Sequence, residues 1–476
     1  MTTEPIIGHR SAHARAAVRN GDAVSAGQLV ADAAALSARM PPSQYVVNIC
    51  RDRYAFAVGF CAALIAGRTC LLPPARASEA LAQLAQRYPD GVIVGDDAAD
   101  PWASSAARSM TLLAALTGAS AQLVWPPPAI SREHVAAIAF TSGSTGKPLP
   151  QPKQWGRLVD GACAEVSALH LDDLPIEDVV LIGTVSAQHM YGLESSIMLA
   201  LHGPCALAAE HPLHVDEVNS ALSRISGRRV LVTTPVHLRA LCESTQAMPA
   251  LDRVISATAP LTQQLASRCE SRWATRVFEI YGCTETGMVA ARRTVEGPLW
   301  TAMRGVKVKQ NGDGFEASGG HVQAGPLMDR LRLASETSFE LDGRADDLIN
   351  IGGKRASLEG LNRLLLSIDG VEDGAIFLPD TEATATREPR LIALIVAPAC
   401  SAAEVLAKLR TKVDAAFLPR PLLRVAALPR NAQGKLPRAE LLALAQRVQG
   451  RKSRARRRSH EDPPDVADSV RLHDRR

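Results

Sequence analysis

Apolar positions along the chain fall into short continuous runs separated by stretches with helical spacing. Runs at 45–50, 69–72, 91–94, 178–184, 230–233, 253–256 and 277–281 are rich in Val, Ile and Leu. Such runs are expected of strands buried on both faces. Between them, 22–36 opens strand-like and continues with an Ala/Leu helical face. The segment 53–66 is small and apolar throughout, and 79–87, 157–170, 194–201 and 262–272 carry helical spacing. Strand and helix in alternation predict βαβ units and parallel sheets covered by helices. From 299 to 341 the pattern shifts to short strands with glycine turns, which predicts a barrel-like or meander β element. The polar run Gly343-Arg344-Ala345-Asp346-Asp347 marks a boundary. Beyond it, strands at 348–351, 375–378 and 391–396 mix with helices at 358–367, 402–413 and 439–448, and 381–389 reads as a loop. The expected class is α/β. A large domain at 1–343 carries βαβ-type parallel sheets and the barrel-like element, a small α+β domain follows at 344–450, and 451–476 is a basic disordered tail.

One run opens into unusual chemistry. The apolar residues Ala136, Ala137, Ile138 and Phe140 lead directly into Thr141, Ser142, Gly143, Ser144, Thr145 and Gly146. Two glycines let backbone N–H groups converge on an anion, and the hydroxyls add further donors, so the stretch is a candidate phosphate cradle. Lys147 and Lys153 supply positive charge nearby. Gly143 and Gly146-Lys147 stand too close together for a P-loop. A second strand, 277–281, opens into Gly282-Cys283-Thr284-Glu285-Thr286-Gly287, where open α/β sheets bind ligands.

Composition narrows the setting. A length of 476 residues implies two or three domains and a large core, and 46% hydrophobic with 21% charged residues is ordinary for a globular enzyme. Nine cysteines stand singly with no CxxC, which argues for a reducing cytoplasm and against a structural zinc site. The first twenty residues lack the apolar core of a signal peptide, and the longest apolar run, 55–67, is too short to span a bilayer. A cytoplasmic protein without a membrane partner is expected. Of 53 Lys+Arg and 49 Asp+Glu, nine and five lie in 451–476, which leaves 44 of each in the body. A nucleic-acid role would rest on that tail alone, and a charge-neutral body with 4% aromatic residues speaks against it.

Five motifs occur in order: AFTSGSTGKP, HMYGLE, YGCTETG, GRADDLINIGGKR and PRNAQGKLPR. Over about residues 20–447 the chain resembles the adenylate-forming enzymes, which include acyl-CoA synthetases, peptide-synthetase adenylation domains and luciferases. The resemblance implies ATP and Mg²⁺ as cofactors and assigns roles by position. Thr141–Gly146 and Lys153 hold phosphates, Tyr281 stacks on adenine, and Thr284 bonds the α-phosphate while Glu285 holds Mg²⁺. Asp329 and Arg344 clamp the ribose, although Asp329 stands in Leu327-Met328-Asp329-Arg330 where the family usually has Thr-Gly-Asp. Asp346 is the hinge of a mobile small domain, and Gly353 borders the pantetheine tunnel beside Lys354 and Arg355. Lys435 bridges the substrate carboxylate and the α-phosphate. The glycine loop departs from the family pattern, continuing Pro148-Leu149-Pro150-Gln151-Pro152 before Lys153.

His189, Tyr191 and Ser256-Ala257-Thr258-Ala259-Pro260 lie where the family builds its acyl pocket, and His189 is the candidate catalytic group there. A His and a Tyr among small residues suit a compact hydroxylated aromatic acid. The altered loop looks like that of ligases in aryl-polyene or xanthomonadin-type pigment pathways, which load a hydroxybenzoate-type acid onto acyl carrier protein. A CoA ligase is the alternative, because both acceptors end in pantetheine. A non-catalytic nucleotide-binding protein on the same scaffold is a further alternative, opposed by the presence of Glu285, Arg344 and Lys435.

Overall fold

A computed structural model describes the chain except residues 1, 10, 74–77, 97–108, 112–124, 143–147, 175–178, 313, 345–347, 352–353, 380–389, 414, 432–433 and 459–476. Its internal contacts divide into two units, 1–346 and 347–476. Arg344 ends the strand Ser338–Arg344, so it belongs to the larger unit rather than starting the smaller one, as the expected boundary at 343/344 had it.

The larger unit is built on two extended sheets. One has six strands in the order Pro148–Gln154, Val135–Ser142, Thr69–Leu72, Tyr45–Asn48, Val92–Gly95, Ser109–Thr111. All are parallel except the first, which is an antiparallel edge strand on Val135–Ser142. The segment after the glycine loop was expected to be a longer loop, yet it is this edge strand. Pro148, Pro150 and Pro152 take alternate positions, which an edge tolerates because every second N–H faces away from the partner. Lys153, near the inner end of this strand, is buried at 6% exposed, while Leu149 near its start is 52% exposed.

The second sheet has eleven strands. Its central strands Arg276–Cys283, Arg253–Ser256, Arg228–Thr233 and Val179–Gly183 run parallel. Val179–Gly183 and Arg253–Ser256 are buried at every position, as strands covered on both faces must be. The helix Arg53–Ile65 starts where the Asp52 carboxylate accepts from the Ala55 N–H at 2.8 Å. Its residues 53–64 are all buried, which is why no polar face showed in the sequence. The helix expected at 194–201 is partly a π-helix, Leu193–Met198, which continues as Leu199–His202. The glycine-rich stretch after 299 divides. Leu299–Ala302, Asp329–Ser335 and Ser338–Arg344 extend the large sheet, and Val306–Asn311, Gly314–Gly319 and Gly325–Leu327 form a three-stranded meander.

In the smaller unit the strands Asp373–Phe377, Ile392–Val396 and Leu422–Arg424 form a sheet with apolar clusters on both faces. Ile376 packs with Leu361, Leu365 and Val405 on one face, while Ala375 and Phe377 pack with Leu441 and Ala445 on the other. The last helix spans Arg438–Arg458. Helix therefore continues through the first eight residues of the expected disordered tail, where Lys, Arg and Ala favour it, and 459–476 lie outside the described residues.

A buried ion pair fixes the strand that ends at the site. Glu279, 3% exposed, accepts from Arg292 Nε and Nη2 at 2.8 and 2.7 Å, from Thr294 Oγ1 at 3.0 Å and from the Leu261 N–H at 2.8 Å. The Arg292 guanidinium also lies over the Trp300 ring, 4.4 Å from its centroid. Arg292→Met leaves the carboxylate buried without its counter-charge, so stability should fall by about 3 kcal/mol, read from the urea midpoint. Adding Glu279→Gln should recover part of the loss.

Candidate active site

Strand Arg276–Cys283 and strand Gly287–Arg293 form an antiparallel hairpin whose turn is Thr284-Glu285-Thr286, with a bulge between Tyr281 and Gly282. The turn is possible because Gly287 adopts φ +89°, a conformation L side chains avoid. A Cβ on Gly287 would also stand 2.9 Å from Glu194 Oε1. Thr284 and Glu285 are half-buried.

Lys153 reaches this turn from the six-stranded sheet. Its Nζ donates to the Glu285 carbonyl at 2.8 Å. Burial lowers the Lys153 pKa, and the charge of Glu194 opposes that shift. Glu194 is 7% exposed on the π-helix, and burial pushes its carboxyl up to about 7 against the pull of Lys153 and the Met288 N–H. Behind it, Glu165 of the helix Trp155–Ala168 is fully buried, and burial pushes it up to about 8 with Glu194 adding to the shift, while neither of its carboxyl oxygens has a hydrogen-bond partner among the described residues. A Glu inside the apolar run Gly192-Leu193-Glu194-Ser195-Ser196-Ile197-Met198 was the available sequence signal for this cluster. Glu165 carried no comparable signal.

Three expected nucleotide contacts come together on the large sheet. Tyr281 donates its hydroxyl to Asp329 Oδ2 at 2.7 Å, and its ring lies 5.7 Å from both Trp300 and Phe339. Asp329 and Arg344 are Cα partners across adjacent antiparallel strands. Thr141 and Ser142 end their strand, with Ser142 opposite Pro148. Gly143, Ser144, Thr145 and Gly146 lie outside the described residues.

His189 caps the short helical turn Met190–Gly192, its Nδ1 accepting from the Tyr191 N–H at 3.3 Å. The Tyr191 hydroxyl donates to the Ile255 carbonyl at 2.9 Å, which ties the turn to the strand leading into Ala257–Pro260. Gly192 is required there, because a Cβ would stand 2.0 Å from the Ser186 carbonyl oxygen.

In the smaller unit Lys435 is exposed on a turn closed by Asn431, whose Oδ1 accepts from the Lys435 N–H at 2.9 Å. Arg430 anchors that turn, donating to both Asp373 oxygens at 2.9 and 2.7 Å and to the Gly434 carbonyl at 2.7 Å. Sequence reasoning passed over Arg430 and Asp373, which are distant in the chain. Arg355 lies on the strand Lys354–Ser357, opposite Asn350. Asp346 and Gly353 lie outside the described residues.

A family model for AMP-binding enzymes matches residues 13–310. The chain belongs to that family. A 4-coumarate–CoA ligase of Rhodobacter capsulatus is 30% identical over 307 residues, covering 64% of this chain and 75% of the relative. A 3,4-dihydroxybenzoate–[aryl-carrier protein] ligase of Bacillus anthracis is 20% identical over 256 residues, covering 52% of this chain and 59% of the relative. Among solved structures, ATP-bound MatB from Rhodopseudomonas palustris matches with a TM-score of 0.77 at 20% identity, covering 92% of this chain and 97% of that one. The o-succinylbenzoate CoA synthetase of Bacillus subtilis with its acyl-adenylate matches at 0.76 and 17%, covering 93% and 98%. The structural matches establish the α/β fold with its large and small units.

As an AMP-binding enzyme the protein activates a carboxylic acid with ATP, and its family uses ATP with Mg²⁺. The residues at the turn fit that cation. Mg²⁺ is commonly held by one or two carboxylates together with substrate phosphates and water. Glu285 offers one half-buried carboxylate at a turn, and among the described residues no group of three or more His, Cys, Asp or Glu forms a dedicated cage. No described helix is long and apolar enough to cross a membrane.

The buried glutamates give this AMP-binding enzyme a defined pH response. Below the ordinary glutamate value of 4.5, folded and unfolded chains both hold the Glu165 proton. Between 4.5 and about 8 only the unfolded chain releases it, so folding stability falls as pH rises through that window. Urea midpoints should therefore drop from pH 5 to pH 8, and Glu165→Gln should reduce that slope to the part due to Glu194 and gain about 3 kcal/mol at pH 8.

Proposed function

We propose that the enzyme adenylates a small hydroxylated aromatic acid of the hydroxybenzoate or hydroxycinnamate kind and passes the acyl group to a phosphopantetheine thiol, that of an acyl carrier protein. The observation that carries the site reading is the Lys153–Glu285 contact, which fixes the turn bearing Thr284 and Glu285. Thr284 bonds the α-phosphate and Glu285 holds Mg²⁺, which when bound neutralises phosphate charge. Tyr281, Asp329 and Arg344 hold adenosine, with the Tyr281–Asp329 bond orienting the carboxylate that meets the ribose. Thr141–Gly146 cradle the outer phosphates. Lys153 acts by holding the Glu285 carbonyl from behind rather than by lying along the phosphates.

The acid's oxygen attacks the α-phosphorus, pyrophosphate leaves, and Lys435 supplies positive charge to both reacting oxygens. The thiol then attacks the acyl carbon and AMP leaves. Asp346 is the hinge between the two half-reactions, and Gly353 with Arg355 lines the path of the pantetheine arm. In this reading His189 and the Tyr191 turn border the acyl pocket, and an aromatic acid is supported by the names of the relatives acting on 4-coumarate and 3,4-dihydroxybenzoate. The basic run Arg451–Arg458, which continues the last helix, supports an acidic carrier protein as acceptor. CoA is the second reading, favoured by the relatives named as CoA ligases.

Pyrophosphate exchange across hydroxybenzoic, cinnamic and fatty acids should select one aromatic class, and AMP release should then be faster with holo-carrier protein than with CoA. Exchange only with fatty acids would sink the aromatic reading, and equal or faster release with CoA would sink the carrier. Lys153→Met should lower exchange by about 100-fold through misplacement of the turn, with far-UV circular dichroism unchanged.

A further inference from the structure

Helices Pro235–Glu243 and Gln263–Trp273 pack together on the large sheet within one apolar cluster. Cys242 lies near the end of the first and Cys269 within the second. Their Sγ atoms are 3.1 Å apart, inside ordinary van der Waals contact for two sulfurs. Closing to an S–S bond needs a movement of about 1 Å. Cys269 is 0% exposed and Cys242 4%. Cys242 nonetheless lines a surface pocket of about 510 Å³ with Ser267, Arg268, Ser271 and Arg272. Arg268 Nη2 and Arg272 Nη1 both donate to the Cys242 carbonyl, at 3.4 and 3.3 Å. Two guanidiniums therefore stand beside Cys242, which itself lines the pocket.

We propose that Cys242 and Cys269 form a redox modification site, in which a hydroperoxide oxidises Cys242 and Cys269 resolves it to an intramolecular disulfide. The Cys242 thiolate attacks the peroxide oxygen, the O–O bond breaks, and the leaving oxygen takes a proton to depart as water or an alcohol. Cys242 is then a sulfenic acid. The Cys269 sulfur attacks that sulfur, the S–O bond breaks, and the hydroxyl leaves as water with the Cys269 proton. Two thiols are oxidised and one peroxide is reduced. The division of roles agrees with the local electrostatics. The Cys269 S–H, with Arg268 and Arg272, holds Cys242 below the ordinary thiol range, and the same bond with burial pushes Cys269 up. The disulfide would strap together the two helices that flank strand Arg253–Ser256, whose end enters Ala257–Pro260.

The test is to treat the folded full-length protein with hydrogen peroxide, block free thiols with iodoacetamide, and map peptides without reduction. The expected result is one peptide pair joined through Cys242 and Cys269, lighter by two hydrogens and released by dithiothreitol. Cys269→Ser should abolish the pair and leave Cys242 as a sulfenic acid trapped by dimedone, while in Cys242→Ser, Cys269 should remain a thiol. Recovering both cysteines alkylated in the wild-type protein while the exposed Cys163 is oxidised overturns the proposal, and that reading needs no variant to fold.

Discussion

The Lys153 ammonium is taken out of water to hold a single carbonyl, that of Glu285. An ammonium 6% exposed is costly unless its donors and its charge are answered. Here the carbonyl answers one donor and the buried Glu194 carboxylate answers the charge. The contact ties the edge of the six-stranded sheet to a hairpin of the eleven-stranded one. The position of the Thr284-Glu285-Thr286 turn, and with it whatever phosphate chemistry the turn performs, depends on that tie.

A second chain of contacts reaches the same hairpin from its other end. Glu279 holds Arg292, Arg292 lies over Trp300, Trp300 packs on Tyr281, and Tyr281 donates to Asp329. Tyr281 and the turn are thus supported by different interactions on one pair of strands. The smaller unit uses the same economy at Arg430, where one guanidinium joins Asp373 to the turn bearing Lys435.

Much of this was legible in the sequence, for identifiable reasons. Val179–Gly183 and Arg253–Ser256 read as strands because burial on both faces leaves an unbroken apolar run. Tyr281 and Glu285 stood out because Tyr281-Gly282-Cys283-Thr284-Glu285-Thr286-Gly287, at the end of an apolar run, resembles a motif of the family. The strand Pro148–Gln154 was hidden, since three prolines read as a loop unless the strand is known to be an edge. Glu165 was hidden as well, because a glutamate in a helical stretch ordinarily faces water. Disorder was expected from 451 on charge, proline and scarce apolar residues, whereas the helix that begins at Arg438 carries on to Arg458. The partners of Asp329 lie at 281 and 344, and local pattern does not report contacts across such separations.

The alternate prolines of the edge strand have a consequence beyond local geometry. A sheet that ends in an ordinary strand offers a row of donors on which a strand of another molecule can assemble. At Pro148, Pro150 and Pro152 that row has no donors, so the outer margin of the sheet is closed to growth. The glycine loop leads directly into this strand in the chain. The prolines that departed from the family pattern thus act against self-association along this edge.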